Sequence, residues 1–259
     1  MSLRIDRGYR GPRVSEPYDR DNLLDRLSDP ATLELQYRHI ERRERELLGR
    51  RLGLDGGDVL SVGCGWHPGR HLFPAGRWRM TGVDVDPEKV AAVRERGLVE
   101  NGRVGRAGAL EESDGVYDVV LYRMVLHHVA YAQPLEPVLT EAARLLRPGG
   151  ALVAVEPGLW HPVGAALAAA NRAGLGPLVH GTPDDVPLSP ARLVGGARAA
   201  GLVPELHAVT FTWRRLHPAA QRALWPLDRL GSRRRLSALG HTLLLIARRP
   251  RTRRNSAPA

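Results

Sequence analysis

Two elements in the first third of the chain have the residue types and the separation to hold a nucleoside. Val62-Gly63-Cys64-Gly65-Trp66-His67-Pro68-Gly69 follows directly on an apolar run, and glycines there let backbone approach a ligand at the carboxyl end of a parallel strand. Asp84 closes a second apolar run in Thr81-Gly82-Val83-Asp84-Val85-Asp86. A carboxylate at that place accepts from both hydroxyls of a ribose. The two elements begin 21 positions apart, Gly63 to Asp84, and together they point to an adenosine-type cofactor. A dinucleotide fingerprint needs a further glycine at position 68, where a helix N-terminus meets the pyrophosphate. Pro68 stands there instead, so a nicotinamide-dependent oxidoreductase is disfavoured.

These residues need a scaffold, and the pattern around them supplies one. Asp29 and Pro30 open a helix, because Asp caps free N–H groups and Pro fits the first turn. Leu33, Tyr37, Ile40, Leu47 and Leu48 follow at helical spacing up to Arg51, and Gly53 stops it. Short apolar runs then alternate with helices: Val59–Val62, Trp78–Val83, a weak run near Val104, Val119–Tyr122 and Ala151–Val155. Asp86 and Pro87 start one intervening helix, with Asp86 as its cap. Leu135, Val138, Leu139, Ala142, Leu145 and Leu146 form the apolar face of another, ended by Pro148 and Gly149. Strands apolar on both faces, separated by helices, make a parallel sheet buried between helix layers. The rhythm breaks after Glu156 into a segment rich in Pro, Gly, His and small residues up to about Pro187. Ser189-Pro190 then starts a helix that Gly201 ends, and strands are expected at about Leu206–Trp213 and His241–Ala247, separated by a helical stretch around Leu216–Leu230.

Composition bounds the function. The 259 residues carry 38 basic and 28 acidic side chains, so the formal charge is 38 minus 28, or +10. Only Lys89 is a lysine, and Arg248, Arg249, Arg251, Arg253 and Arg254 bring +5 of that total into the last stretch, read as a solvated basic tail rather than a nucleic-acid site. The uncharged stretch between Glu156 and Arg172 is shorter than the ~20 apolar residues a membrane span needs. An N-terminus of alternating charge without an apolar core is not a secretory signal, and the sole cysteine, Cys64, excludes a disulfide framework or a cysteine zinc cluster. The expected location is cytoplasmic.

Four segments, VLSVGCG (59–65), TGVDVDPEKV (81–90), YDVVLYRMVLHHV (117–129) and LLRPGGALVAVEP (145–157), stand in an order and spacing that resembles the class I S-adenosylmethionine-dependent methyltransferases, in particular the group containing the ubiquinone and menaquinone biosynthesis enzymes. The resemblance covers roughly residues 50–157. It implies a Rossmann-like, seven-stranded α/β sheet whose last strand is antiparallel, spanning about 54–248. An N-terminal segment and helix (1–53) and a cap insertion (about 157–188) would roof the acceptor, and residues 249–259 would form the tail. It implies S-adenosylmethionine as cofactor, held by Gly63, Cys64, Gly65, His67, Asp84, Val85, Tyr122 and Arg123, with Ala109 and Leu110 meeting the base through backbone groups. The chain departs from the family in two places. His67 stands where a third loop glycine is common, and Ala107-Gly108-Ala109-Leu110 stands where an acidic residue often follows the third strand.

Methyl transfer from a sulfonium needs alignment and, for a protonated acceptor, a base. His127, His128 and Glu156 are the candidates for catalysis; for Glu156, anchoring the turn at Pro157-Gly158 is the competing role. Trp160, His161 and His180 in the insertion are the candidates for binding the acceptor. No metal is expected, because the clustered oxygen ligands of magnesium-dependent catechol-type enzymes are absent after the fourth strand. Tyr122-Arg123-Met124-Val125 replaces the Asn/Asp-Pro-Pro-aromatic segment of nucleobase amino methyltransferases. A cytosine C5 enzyme would need a nucleophilic cysteine outside the cofactor loop. A small, apolar or aromatic natural-product acceptor is therefore expected, with O-methylation ahead of C- or N-methylation and a homodimer possible. The alternatives are a non-catalytic S-adenosylmethionine or nucleotide-binding module, and a methyltransferase acting on RNA or lipid.

Overall fold

The computed structural model describes residues 22–27, 29–181, 183–230 and 236–251. In chain order the elements are α1 (Leu23–Arg26), α2 (Pro30–Arg51), β1 (Gly57–Val62), β2 (Trp78–Asp84), α3 (Pro87–Glu95), β3 (Asn101–Val104), β4 (Tyr117–Arg123), α4 (Leu126–Ala132), α5 (Leu135–Leu145), β5 (Leu146–Pro157), α6 (Pro162–Arg172), α7 (Gly176–His180), α8 (Pro190–Ala199), β6 (Val203–Thr210), α9 (Pro218–Leu230), a 3-10 turn at Ser237–Leu239, and β7 (Thr242–Arg248). The sheet runs β3-β2-β1-β4-β5-β7-β6. β1 to β5 are parallel, and β7 lies antiparallel between β5 and β6.

Alternation along the central strands builds two cores. Leu60, Val62, Val120, Tyr122, Leu152 and Ala154 face α5 and α8, meeting Leu135, Val138, Leu139, Leu145 and Leu193. Val59, Val119, Leu121, Val153 and Val155 face the opposite layer, meeting Ile40, Leu47 and Leu48 of α2 and Val93 of α3. A strand buried on both faces reads as a continuous apolar run because neither set can be polar. The helices start where their caps dictate: Asp29 accepts from the Thr32 N–H at 2.8 Å, and Asp86 from the Glu88 N–H at 2.9 Å.

The structure departs from the sequence reading in four places. The segment after Glu156 holds two helices, α6 and α7, and is closed at its base by the Leu188 N–H donating to Pro157 and the Leu159 N–H donating to Leu188. The residues after β4 form α4. The sixth strand ends at Thr210 instead of Trp213, because the next backbone N–H, of Phe211, donates to the buried Asp228 carboxylate of α9 at 2.8 Å. Arg249, assigned to the tail, belongs to the fold: its guanidinium donates to the carbonyls of Ala143 and Arg144 at the end of α5, at 3.0 and 3.1 Å, and also to that of Leu146, a cation at a helix C-terminus. No helix among the described residues is long and apolar enough to cross a membrane.

One ion pair fixes α2 across the carboxyl edge of the sheet. Glu44 is buried and accepts from Arg123 Nε and Nη2 at 3.2 and 3.3 Å, while His71 Nε2 lies 2.9 Å away. It therefore joins the N-terminal helix, the end of β4 and the loop after β1. Burial opposes the ionisation of Glu44, but the Arg123 charge and the His71 hydrogen bond outweigh it and hold the carboxyl down at about 2. A carboxyl depressed in the folded state contributes stability above its ordinary pKa, and that contribution fades as pH falls through the folded value. Glu44→Gln should cost about 3–5 kcal/mol at neutral pH by stranding Arg123. The gap from wild type should narrow toward pH 2 in denaturant melts followed across the acid range.

Candidate active site

β1 ends in a turn that returns the chain over the sheet edge. Gly63 and Gly65 take φ of +65° and +49°, and Gly69 takes +82°, conformations that L side chains rarely hold. At Gly63 a Cβ would also collide with the Val125 side chain, whereas at Gly65 it would meet nothing within 4 Å. The loop is thus packed against the protein at its first glycine and open at its second. His67 is exposed at the tip of this turn. The Cys64 side chain points the other way, into the core, where burial and the nearby Asp84 push its thiol up to about 12. Any contact from Cys64 to a cofactor falls to its backbone.

Asp84 ends β2 beside this turn. Its Oδ2 accepts from the Gly65 N–H at 2.8 Å and its Oδ1 from the Asp86 N–H at 3.0 Å. Each carboxylate oxygen offers about two lone-pair sites, so each keeps capacity for one more donor; the carboxylate is itself buried, with the Lys89 ammonium 4.0 Å from Oδ1. Val85, next along, is 64% exposed, an apolar face beside the carboxylate. Open space over Gly65, the remaining acceptor capacity of Asp84 and an uncovered Val85 fit a nucleoside. On the far side of the pocket the loop after β3 is held by Glu141 of α5, which accepts from the Gly108 and Leu110 N–H groups at 2.7 and 2.5 Å. The Ala109 N–H donates to Arg106. Both backbone donors expected to meet a base at Ala109 and Leu110 are thereby engaged within the protein.

Tyr122 and Arg123 do not open onto this space. Tyr122 is fully buried among Leu and Val, its phenol raised by that burial, with no hydrogen-bond partner among the described residues. Arg123 gives its guanidinium to Glu44. Sequence position at a strand end marked both residues, but the alternation of the strand turns Tyr122 inward, and Glu44 claims the cation.

The second half of the site is built where the chain leaves β4. Met124 sits at φ +57°, the one non-glycine residue with a positive φ among those described, a strained corner of the kind that clusters at functional sites. Val125 then enters α4 without a side-chain cap. Glu156, at the end of β5 and fully buried, does that work from the neighbouring strand. Its Oε1 accepts from the Val125 and Leu126 N–H groups at 3.0 and 2.8 Å, and its Oε2 from the His127 N–H at 3.3 Å and lies 2.6 Å from His127 Nδ1.

The two histidines differ. His127 is buried, with Nε2 3.4 Å from Asp185. Burial lowers its tendency to charge, but the Glu156, Asp185 and Asp184 carboxylates outweigh this and raise its pKa. His128 is half-buried, its ring 4.1 Å from that of His127, with Nδ1 3.1 Å from Asp184. Sequence reading missed Asp184 and Asp185. The only available signal was two adjacent acids set against two adjacent histidines. The insertion positions both acids: Asn171 of α6 donates to the Asp185 carbonyl at 3.3 Å and also pairs with His180 Nε2 at 2.7 Å. His180 is thus a buried tie between α6 and α7. His161 caps α6, accepting from the Val163 N–H at 3.3 Å, with Nε2 3.0 Å from the Phe211 carbonyl. Trp160 stands 48% exposed at the rim. Among the described residues no three His, Cys, Asp or Glu side chains gather to hold a metal ion.

Comparison with known proteins bears on this arrangement. Residues 60–154 match the family model for a methyltransferase domain. The chain is 32% identical over 146 residues to a demethylmenaquinone methyltransferase of Tropheryma whipplei, covering 56% of each chain, and 32% identical over 136 residues to a ubiquinone biosynthesis O-methyltransferase of Agrobacterium fabrum, covering 49% of this chain and 51% of the relative. It therefore spans only about half the length of the curated relatives it matches. Among solved structures, a SAM-dependent methyltransferase from Thermotoga maritima superposes with a TM-score of 0.61 at 15% identity over 85% of this chain and 91% of that one. A geranyl diphosphate C-methyltransferase from Streptomyces coelicolor does so at 0.55 and 18%, over 90% and 89%. The family match falls on the strands that form both halves of the site, and the fold shared with the solved structures extends over most of the chain; residues 60–154 are similar to a methyltransferase domain.

Proposed function

We propose that this protein transfers a methyl group from S-adenosylmethionine to a small, apolar or aromatic acceptor, with oxygen as the favoured atom. The observation that carries the reading is Asp84, at the end of β2 beside the glycine turn, whose two oxygens are each fixed by one backbone donor and keep capacity for another. Gly63 and Gly65 would carry the chain past the amino-acid end of the cofactor, Asp84 would hold the ribose, and Val85 would lie against the adenine. The cofactor, when bound, supplies a methyl group activated by its sulfonium. Relatives named for demethylmenaquinone methylation and for O-methylation in ubiquinone biosynthesis support an acceptor with a ring hydroxyl or ring carbon.

In this reading the histidines divide the work. His127 has both ring nitrogens committed to carboxylates and acts as a positioning residue, holding α4 and the insertion in register. His128 is the base: the Asp184 carboxylate lies 3.1 Å from its Nδ1, and Nε2 would take the proton of an acceptor hydroxyl as the methyl group is transferred. Glu156 is the anchor of this pair, and Trp160 at the rim contributes apolar surface for the acceptor.

Asp84→Ala should weaken binding of S-adenosylhomocysteine by about 1.5–3 kcal/mol, the worth of charge-assisted hydrogen bonds, in a variant that keeps its fold. Unchanged affinity by calorimetry would place the ribose elsewhere. His128→Gln should lower the methylation rate by about 10²–10⁴ and remove a limb of its pH profile while cofactor binding persists. His127→Gln should instead lower the melting temperature along with the rate. A chain ended after Arg251, which keeps the Arg249 contacts, should retain turnover of a small acceptor. A loss of activity that tracks ionic strength would favour an anionic polymer or surface as partner.

A further inference from the structure

A cavity beside α2 is lined by none of Asp84, His127, His128 or Glu156. It has a volume of about 440 Å³, lies between α2 and α9, and is lined by His39, Arg42, Arg43, Glu46, Arg222, Trp225, Pro226 and Arg229. Four guanidinium groups face one carboxylate, and that carboxylate is already taken, because Arg43 donates to Glu46 at 2.8 Å.

The walls are fixed before any ligand arrives. Asp228, fully buried under the cavity, accepts from Thr210 Oγ1 and the Phe211 N–H at 2.9 and 2.8 Å and from His39 Nε2 at 2.7 Å. Those donors hold both of its oxygens in place. His39 stacks on Trp225 at 4.3 Å with the rings nearly parallel, and Trp225 Nε1 donates to Gln36 of α2 at 2.9 Å. Arg43 is itself more than nine-tenths buried. It spends Nη1 on Glu46 and Nη2 on the Asp228 carbonyl at 3.0 Å, and its Nε is buried without a hydrogen-bond partner. A buried guanidinium N–H without an acceptor is costly, and Arg43 is one of the residues lining the cavity; of the other cations there, Arg42 lies 2.9 Å from His39 Nδ1 and over the Trp225 ring, and Arg222 and Arg229 are exposed.

We propose that the cavity between α2 and α9 binds a small anion bearing a phosphoryl group. Guanidinium forks match phosphate geometry and favour a dianion over a single charge. The volume of this half-open cavity is of small-molecule size. The phosphoryl group belongs either to free phosphate or to a phosphate ester whose organic part lies on Trp225 and Pro226.

The test is titration of the full chain by calorimetry at fixed ionic strength with inorganic phosphate, phenyl phosphate and succinate. Phenyl phosphate or inorganic phosphate should bind with a Kd near or below about 1 mM. Tighter binding of the ester identifies an organic phosphate, and equal binding identifies free phosphate. Arg42→Gln with Arg222→Gln should weaken that binding about 10-fold or more, and because Arg42 also pairs with His39, Arg222→Gln alone, at an exposed position, should weaken it in the same direction with the melting temperature little changed. The single variant Trp225→Phe should affect only the ester. Succinate binding as tightly as phosphate, phosphate binding unaltered in the double variant, or an oligonucleotide binding more tightly than either small anion with a steep salt dependence would each overturn the proposal. The readout is binding rather than turnover, and the variants lie on α2 and α9, so failure here leaves the reading of Asp84 untouched.

Discussion

The Glu156 carboxylate is the interaction on which the catalytic half of this molecule is built. It has no solvent access and four donors: three successive backbone N–H groups and an imidazole. A charge buried without such partners would be expelled or protonated. Here the free N-terminus of α4 and the carboxylate solve each other's problem, since the helix lacks a cap of its own and its first turn favours negative charge. The chain accepts a left-handed Met124 to bring those groups together. Everything that follows at this end, the His127 ring, the Asp184-Asp185 pair and the insertion carrying them, is referred to that point.

The same device recurs around the carboxyl edge of the sheet. Asp84 holds the turn after β1 and its own following turn, Glu141 holds the loop after β3, and Asp228 holds the segment after β6. A parallel sheet delivers its loops to one edge with unpaired N–H groups, and a carboxylate satisfies two or three of them at once. What distinguishes Asp84 is that, though itself buried, each of its oxygens takes a single backbone donor, whereas Glu156 takes four donors and Asp228 three. Function at this edge follows from which carboxylates are left unfinished.

Sequence carried the sheet well, because burial on both faces leaves a mark on every strand and because Asp29-Pro30, Asp86-Pro87 and Ser189-Pro190 announce their helices locally. It carried Asp84 for the same reason. Elements whose cause lies elsewhere in the chain were not legible. α4 is capped by a residue some 30 positions away, in β5, and the helices of the insertion are rich in Ala and Gly, with little apolar period to read. The end of β6 is set by Asp228 of α9, and Arg123 is claimed by Glu44, 79 positions earlier. Of the two roles considered for Glu156, its hydrogen bonds are those of an anchor, and what they hold is α4 and a histidine; the Gly158 N–H of the following turn donates to His241.

The central claim is that Glu156 fixes His127, and through it the corner after β4. Histidine NMR reads this directly, by following the ring of His127 through a pH titration in the wild type and in Glu156→Gln. The account predicts that His127 titrates above the ordinary imidazole range in the wild type, because the carboxylates around it outweigh its burial, and that its titration falls in the variant. A His127 that titrates in the ordinary range, or one indifferent to the loss of the Glu156 charge, would contradict it.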